Sequence, residues 1–559
     1  RITLSTNNGA VTANNTKIIA PNKQENTTLF TSYAIAICGF QNYNGTSVTV
    51  TGENSTITGD IKFSKEAAAD DSTYVLRLAL NEGTVSGSLS FGKDLAGVTM
   101  TVTKGENVTV AAPAGYEWSG NTLVKSANAV AKTGATSYPT LQEAIDAAAS
   151  GATVTLMADI TVDKSVVINK NLTLKLSSYT ITGAAGVEVL QISSTDTSTI
   201  EVVLQGDGLN GGIDGGSGGN NKAIVVGKNA ELTIKSGTYT VGGDGSGSED
   251  GEGNSTIFVE ENGKVNILGG KFSSKEPWRG FYYVLNRKNG CTGTFNVKGG
   301  TFINYNPLKG DDNDGGNFCG LLYGIRTEKN EKDGSVSYIA KQGSLQVLDE
   351  DGEPVNVYKN SQLETLRTNL KDGQTVMLLS NTTLSSQMVI DKAITLDLNE
   401  KVLTSTYAKN DYAIVVKADA TIKNGSISAV THGMQANADV TIDRVKLSTT
   451  GPMGLVVWNA NTSCNVKITN TEITAASHAL FDYSNSNTIT ISHSTLKAGE
   501  SGINHSGSYY GCNLTVTDST IIAGSEETID SNINATGVYI SGSTETAKHG
   551  MQKATFTNC

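Results

Sequence analysis

The sequence predicts an all-β chain made of two tandem parallel β-solenoids, each opened by a short helix. Three observations carry this. Short runs rich in Val, Ile, Leu and Thr recur along the chain, one long stretch repeats at a constant offset of 222 residues, and pairs of apolar residues five apart recur every 20 to 33 residues. A period of that size is the mark of a stacked array, and its elements here are strands.

Composition narrows the field. The chain has 559 residues, with 61 Gly but only 7 Pro, and 17% charged against 38% hydrophobic residues. Gly without a triplet period and so little Pro exclude collagen, and the steady supply of apolar residues argues against disorder. No apolar run reaches the length of a membrane span. A formal charge of −12 speaks against binding nucleic acid through its phosphates. Six widely spaced cysteines, Cys38, Cys291, Cys319, Cys464, Cys512 and Cys559, form no CxxC or Cys/His cluster, so the sequence argues against a zinc site. They are too few for a disulfide framework, and spacing leaves a Cys291–Cys319 pairing open. The chain opens at Arg1 without an initiator Met or a signal peptide, so we expect a piece of a longer protein.

Residues 1–111 are β-rich, with VTVTG from Val48 and VTMTVTKGENVTV from Val98, and carry no helix pattern. They read either as the last coils of an upstream solenoid or as a separate small β-domain. Residues 112–136 form a connector. The first module spans 137–345 and the second 346–559. Leu141–Leu176 matches Leu363–Leu398, with Gly151 on Gly373, Val154 on Val376 and Leu174 on Leu396. Each match opens on an amphipathic helix, expected at 140–149 and 362–371. Leu141, Ala144, Ile145 and Ala148 follow helical spacing, with Thr140/Glu143 and Ser361/Glu364 as capping-box pairs. Such a helix would cover the open end of a stack.

The five-residue pairs define the coils. They include Ile267/Phe272 and Val297/Phe302 in the first module and Ile422/Ile427, Ile468/Ile473 and Val516/Ile521 in the second. Two residues after the first member stand Gly206, Ser236, Gly269 and Gly299, then Asn424, Arg444, Asn470, His493, Asp518 and Asn558. Gly and Asn tolerate the left-handed backbone of a tight bend, with the bend one residue later where Gly270 and Gly300 follow. Arg444 departs from this chemistry. Stacked Asn side chains could bond along the column. A third apolar column reads AIVV at Ala223 and Ala413, TIFV at Thr256, GLVV at Gly454 and ALFD at Ala479. Three strands per turn describe a parallel β-helix.

These residues resemble the pectin-lyase-like right-handed parallel β-helix superfamily. The segment YPTLQEAIDAAASGATVTLMADITV (Tyr138–Val162) and the connector APAGYEWSGNTLVK (Ala112–Lys125) are similar to module starts and connectors in large surface or adhesin proteins of gut Firmicutes. The resemblance implies right-handed coils and an extracellular place on a bacterial cell surface. The fold hosts lyases, hydrolases and adhesins alike, so function must come from a site.

The enzyme signatures of that superfamily are not assembled. Asp311-Asp312 supplies one acidic pair, but no GHG or RIK follows, and the nearest stretch to a WIDH pattern is Val457-Trp458-Asn459. Asp482 and His505 fall at one column position a coil apart, where a carboxylate can orient an imidazole as a base. They are the catalytic candidates for the alternative reading, a polysaccharide lyase or glycoside hydrolase. Trp458 and Tyr483 are adjacent in the next column and suit stacking on sugar rings. Trp278, Arg279 and Tyr282 form the aromatic, basic loop best suited to an interface. Asp311, Asp312 and Asp314, with Asp244, Glu249, Asp250 and Glu252, could hold Ca²⁺ but match no Ca²⁺ motif, and we expect no obligate metal or cofactor. The favoured expectation is a non-catalytic surface protein, an adhesin or rigid stalk that binds glycan or a host surface protein. Thr-x-Thr pairs also raise an ice-binding face, but they do not hold one column.

Overall fold

The computed structural model describes residues 4–6, 9–20, 33–39, 45–65, 74–91, 98–113, 116–125, 129–243, 253–277, 282–310, 316–409, 411–458, 463–483, 487–507, 512–524, 535–542 and 553–559. The chain is all-β. The described residues form open, mostly parallel sheets with two short α-helices. It divides into two compact units, Arg1–Thr294 and Phe295–Cys559.

In the first unit the chain visits three sheets in cyclic order. Leu4–Thr6, Tyr33–Gly39, Asp60–Lys65 and Leu89–Phe91 pair in parallel in one sheet. Gly9–Asn14, Gly45–Thr51, Tyr74–Leu80 and Val98–Lys104 form the next, and Lys17–Ile19, Thr56–Thr58 and Thr84–Ser86 the third. Strand alternation sets the core: Val48 and Val50 are buried, while Thr49 between them turns outward. The last long strand is closed by an antiparallel hairpin, Tyr116–Ser119 with Thr122–Lys125, whose turn holds Gly120 at φ 58°. A two-residue turn of this hand needs a positive φ, which glycine adopts without strain.

The same cycle resumes after residue 129. One sheet contains Ala152–Leu156, Leu172–Ser177, Ile200–Gly206, Ala230–Ile234 and Lys264–Ile267 in parallel register. A second contains Ile160–Val162 through Lys271–Ser274, and a third Val166–Ile168 through Leu285–Arg287. Tyr239 and Phe272 meet in one core column, stacked at 5.2 Å. The helix Leu141–Ala147 buries Leu141, Ala144 and Ile145. Thr140 Oγ1 accepts the Glu143 N–H at 3.2 Å.

In the second unit Leu345–Leu348 pairs antiparallel with both Pro354–Tyr358 and Thr375–Leu378. From Thr375–Leu378 onward one sheet runs parallel through Ile394–Ser405, Ala420–Ala429 and Val440–Thr449. There it branches into Asn465–Thr469, Thr488–Ser492 and Asn513–Thr517 on one side and Glu472–Ala475 and Thr495–Ala498 on the other. A second parallel sheet holds Met388–Ile390, Tyr412–Val416, His432–Ala436, Met453–Val457, His478–Asp482, Ser501–Gly507 and Thr536–Gly542. Between the sheets lies one continuous apolar core from Leu345 to Val516. The helix Leu363–Asn369 sets Leu363 and Leu366 into it. The Ser361/Glu364 cap is not formed. Gln362 instead ends a short 3₁₀ turn, Asn360–Gln362, and its Oε1 accepts the Lys359 N–H at 2.9 Å.

The bend column stands as the sequence places it in the second unit. Asn424, Arg444, Asn470, His493, Asp518 and Asn558 all have φ between 48° and 60°. Arg444 is therefore no exception in backbone. Its side chain escapes to solvent and meets Asp443 at 3.1 Å. Elsewhere the positive φ falls one residue later, at Gly237, Gly270 and Gly300 rather than Gly269 and Gly299. The column is bonded through carboxylates more than through Asn pairs. Asn424 donates to Asp397, Asn470 to Asp443 at 3.0 Å, and Asn558 to Asp518 at 2.9 Å.

Candidate functional site

Asp482 ends the strand His478–Asp482, and His505 lies in the neighbouring strand Ser501–Gly507. The parallel register pairs them directly, and His505 Nδ1 lies 2.8 Å from Asp482 Oδ2. In the same row below them stand Val457 and Ala436, which are fully buried core positions. The row thus faces inward, and both polar residues are 1% exposed.

After each of these strands the chain is next described buried in the core, just before the next sheet. The residues there are Cys464, Asn487 and Cys512, stacked because Asn465, Thr488 and Asn513 are register partners. All three are buried. Asn487 Nδ2 donates to Asp482 Oδ1 at 2.6 Å, and its Oδ1 accepts the Cys464 N–H at 2.8 Å. Cys512 closes the group: its sulfur, a ring nitrogen of His505 and a carboxylate oxygen of Asp482 all lie within 4.8 Å of one another. Burial, and then the Asp482 charge and hydrogen bond, push the Cys512 thiol well above its usual range. A thiol held neutral and sealed in a core is a poor nucleophile. His505 turns Nδ1 toward the Asp482 carboxyl. Its Nε2 is buried and has no hydrogen-bond partner.

Asp482 and His505 come together as the column predicts, but in the interior, where a polymer cannot reach the imidazole. The sequence reading missed Cys464, Asn487 and Cys512. Their spacings, 23 and 25 residues, match the repeat of the five-residue pairs and were the available signal.

The outer face of the same strands carries the second pair of candidates. Trp458 is 46% exposed, and its ring meets Tyr483 edge-on with centroids 5.4 Å apart. Phe481, outward between buried Leu480 and Asp482, stacks on Tyr483 at 6.1 Å, and His478 packs on Phe481 at 5.4 Å. Four rings therefore form one row on the sheet surface. Ser501 Oγ lies 2.6 Å from His478 Nδ1, and burial holds the His478 imidazole below its usual range.

Tyr282 is half-buried just before buried Tyr283, in the first unit. Its loop companions Trp278 and Arg279 lie outside the described residues, as do Asp311, Asp312 and Asp314 and the Asp244–Glu252 stretch. Cys291, Cys319, Cys464, Cys512 and Cys559 are free thiols. Among the described residues no helix is long and apolar enough to cross a membrane. No protein-family model, characterised protein or solved structure matches the chain.

Proposed function

We propose that the chain is a non-catalytic surface protein of a bacterial cell, exposed outside it, in which right-handed parallel β-helices of the pectin-lyase-like kind form a rigid support for glycan binding. The cyclic passage of the chain through parallel sheets, with left-handed bends at a fixed position in each pass, supports the coiled reading. On that reading residues 4–111 are further coils of the same kind, since they repeat the three-sheet cycle.

The observation that carries the binding function is the row Trp458, Tyr483, Phe481 and His478. Aromatic rings fixed on a flat sheet offer large apolar faces with polar rims, at little entropic cost on binding. The apolar faces of sugar rings match such a surface. The polar interior pair gives no comparable argument for cleavage, because it is sealed from solvent.

The test is a glycan array followed by titration of the strongest hit, read by intrinsic fluorescence. Trp458→Ala and Tyr483→Ala should each weaken binding about tenfold while leaving the circular dichroism spectrum unchanged. Binding that survives both substitutions removes the reading. Depolymerisation of a polysaccharide by the parent chain, abolished by Asp482→Asn, would replace it with an enzyme.

A further inference from the structure

Beneath the aromatic row, the interior corner formed by Asp482, His505 and Cys512 brings an oxygen, a nitrogen and a sulfur donor together beside the apolar core. We propose that these three side chains form a binding site for a borderline divalent cation, zinc by preference.

The donor chemistry selects the ion. Thiolate and imidazole suit zinc and its neighbours in the transition series, while Ca²⁺ and Mg²⁺ require oxygen-rich cages. The geometry is within reach. Zinc bonds of about 2.0–2.3 Å in a tetrahedron set donors roughly 3.3–3.6 Å apart. The three donor atoms already lie within 4.8 Å of one another, so small side-chain rotations close the site. Three protein donors leave a fourth position for water.

Two further facts point to a ligand. His505 is 1% exposed and turns Nδ1 toward the corner, 2.8 Å from Asp482 Oδ2, while its Nε2, on the far side of the ring, is buried without a hydrogen-bond partner, so Nδ1 is the donor the site uses. Asp482 is 1% exposed with both carboxyl oxygens engaged, by Asn487 and His505, and buried carboxyl groups of this kind are paired or coordinate a metal. Asn487, donating at 2.6 Å to Asp482 Oδ1, leaves Oδ2 directed at the His505 ring and acts as the outer partner that orients a ligating carboxylate. Burial and the Asp482 charge raise the Cys512 thiol; a bound cation reverses that, because coordination removes the thiol proton. The site is independent of glycan binding and stands if the aromatic row binds nothing.

The experiment refolds the full chain, free of any polyhistidine tag and stripped of metal, in the presence of Co²⁺ as a spectroscopic probe. The expected result is a thiolate-to-cobalt charge-transfer band that saturates at one equivalent and is bleached by added Zn²⁺. Cys512→Ser should abolish the band and His505→Gln should weaken binding about tenfold or more. The band should persist in a Cys291→Ser/Cys319→Ser/Cys559→Ser variant, which removes thiols outside the core. Absence of the band in the native chain overturns the proposal, as does its survival in Cys512→Ser. If Cys512→Ser fails to fold, the native chain decides: saturating Zn²⁺ must raise its melting temperature, and no rise overturns the site.

Discussion

Replacing Asn470 with Val changes two things at once. Asn470 holds φ at 51° between the strands Asn465–Thr469 and Glu472–Ala475, and its Nδ2 donates to Asp443 at 3.0 Å. A β-branched residue in the left-handed well costs about 1–2 kcal/mol. The lost exposed hydrogen bond adds roughly 0.5–1 kcal/mol. Asn470→Val should therefore destabilise this corner by about 2 kcal/mol, and Asn470→Gly, which keeps the backbone and loses only the bond, by less than half of that. Hydrogen exchange over residues 465–475 reads the local opening free energy. The Asn470 hydrogen bond is also the first cause that holds the Asp443 carboxyl below the usual carboxylate range, ahead of Thr469 and Arg444. A lowered folded-state value contributes stability that is full above the unfolded value and lost as pH falls through the folded one. Acidification below about pH 4 should therefore weaken protection in the native chain more than in Asn470→Gly. Equal exchange in Val and parent, or a Gly variant worse than Val, would refute the bend argument.

Gln346 is fully buried, and its amide meets Ile325 N–H and the carbonyls of Ile325, Val347 and Asn356, so Gln346→Leu should cost about 2–3 kcal/mol, read as a drop in the urea midpoint. In the metal-free protein, Asp482→Leu and His505→Leu should each cost about 3 kcal/mol, and the double variant less than their sum, because each single change strands a buried polar partner; additive losses would show that the two groups are not coupled. Iodoacetamide at mild alkaline pH should label exposed Cys559 rapidly and leave buried Cys464 and Cys512 unlabelled until the chain is denatured, as followed by peptide mass spectrometry.

Local chemistry determined much of this protein from sequence alone. Alternating Val/Thr runs make strands because successive side chains turn to opposite faces, and a left-handed position restricts which residues stand at Asn424, Asn470 and Asn558. The helix Leu141–Ala147 followed from its apolar spacing and Thr140. Register was accessible where repeat steps could be counted, and those steps place Asp482 and His505 at one position of neighbouring strands, where they meet at 2.8 Å. Tertiary structure decided the rest. Whether that row faced the core or solvent depended on which face its neighbours buried, and Val457 and Ala436 turned it inward. The arrival of Cys512 beside Asp482, 30 positions away in sequence, depended on how the register of neighbouring strands sets Asn513 beside Thr488. The antiparallel strands Tyr116–Ser119, Thr122–Lys125 and Leu345–Leu348, beside the parallel ladders, carry no period of their own. They form because a terminal parallel strand leaves backbone groups unpaired, a need that exists only once the parallel sheet has been built.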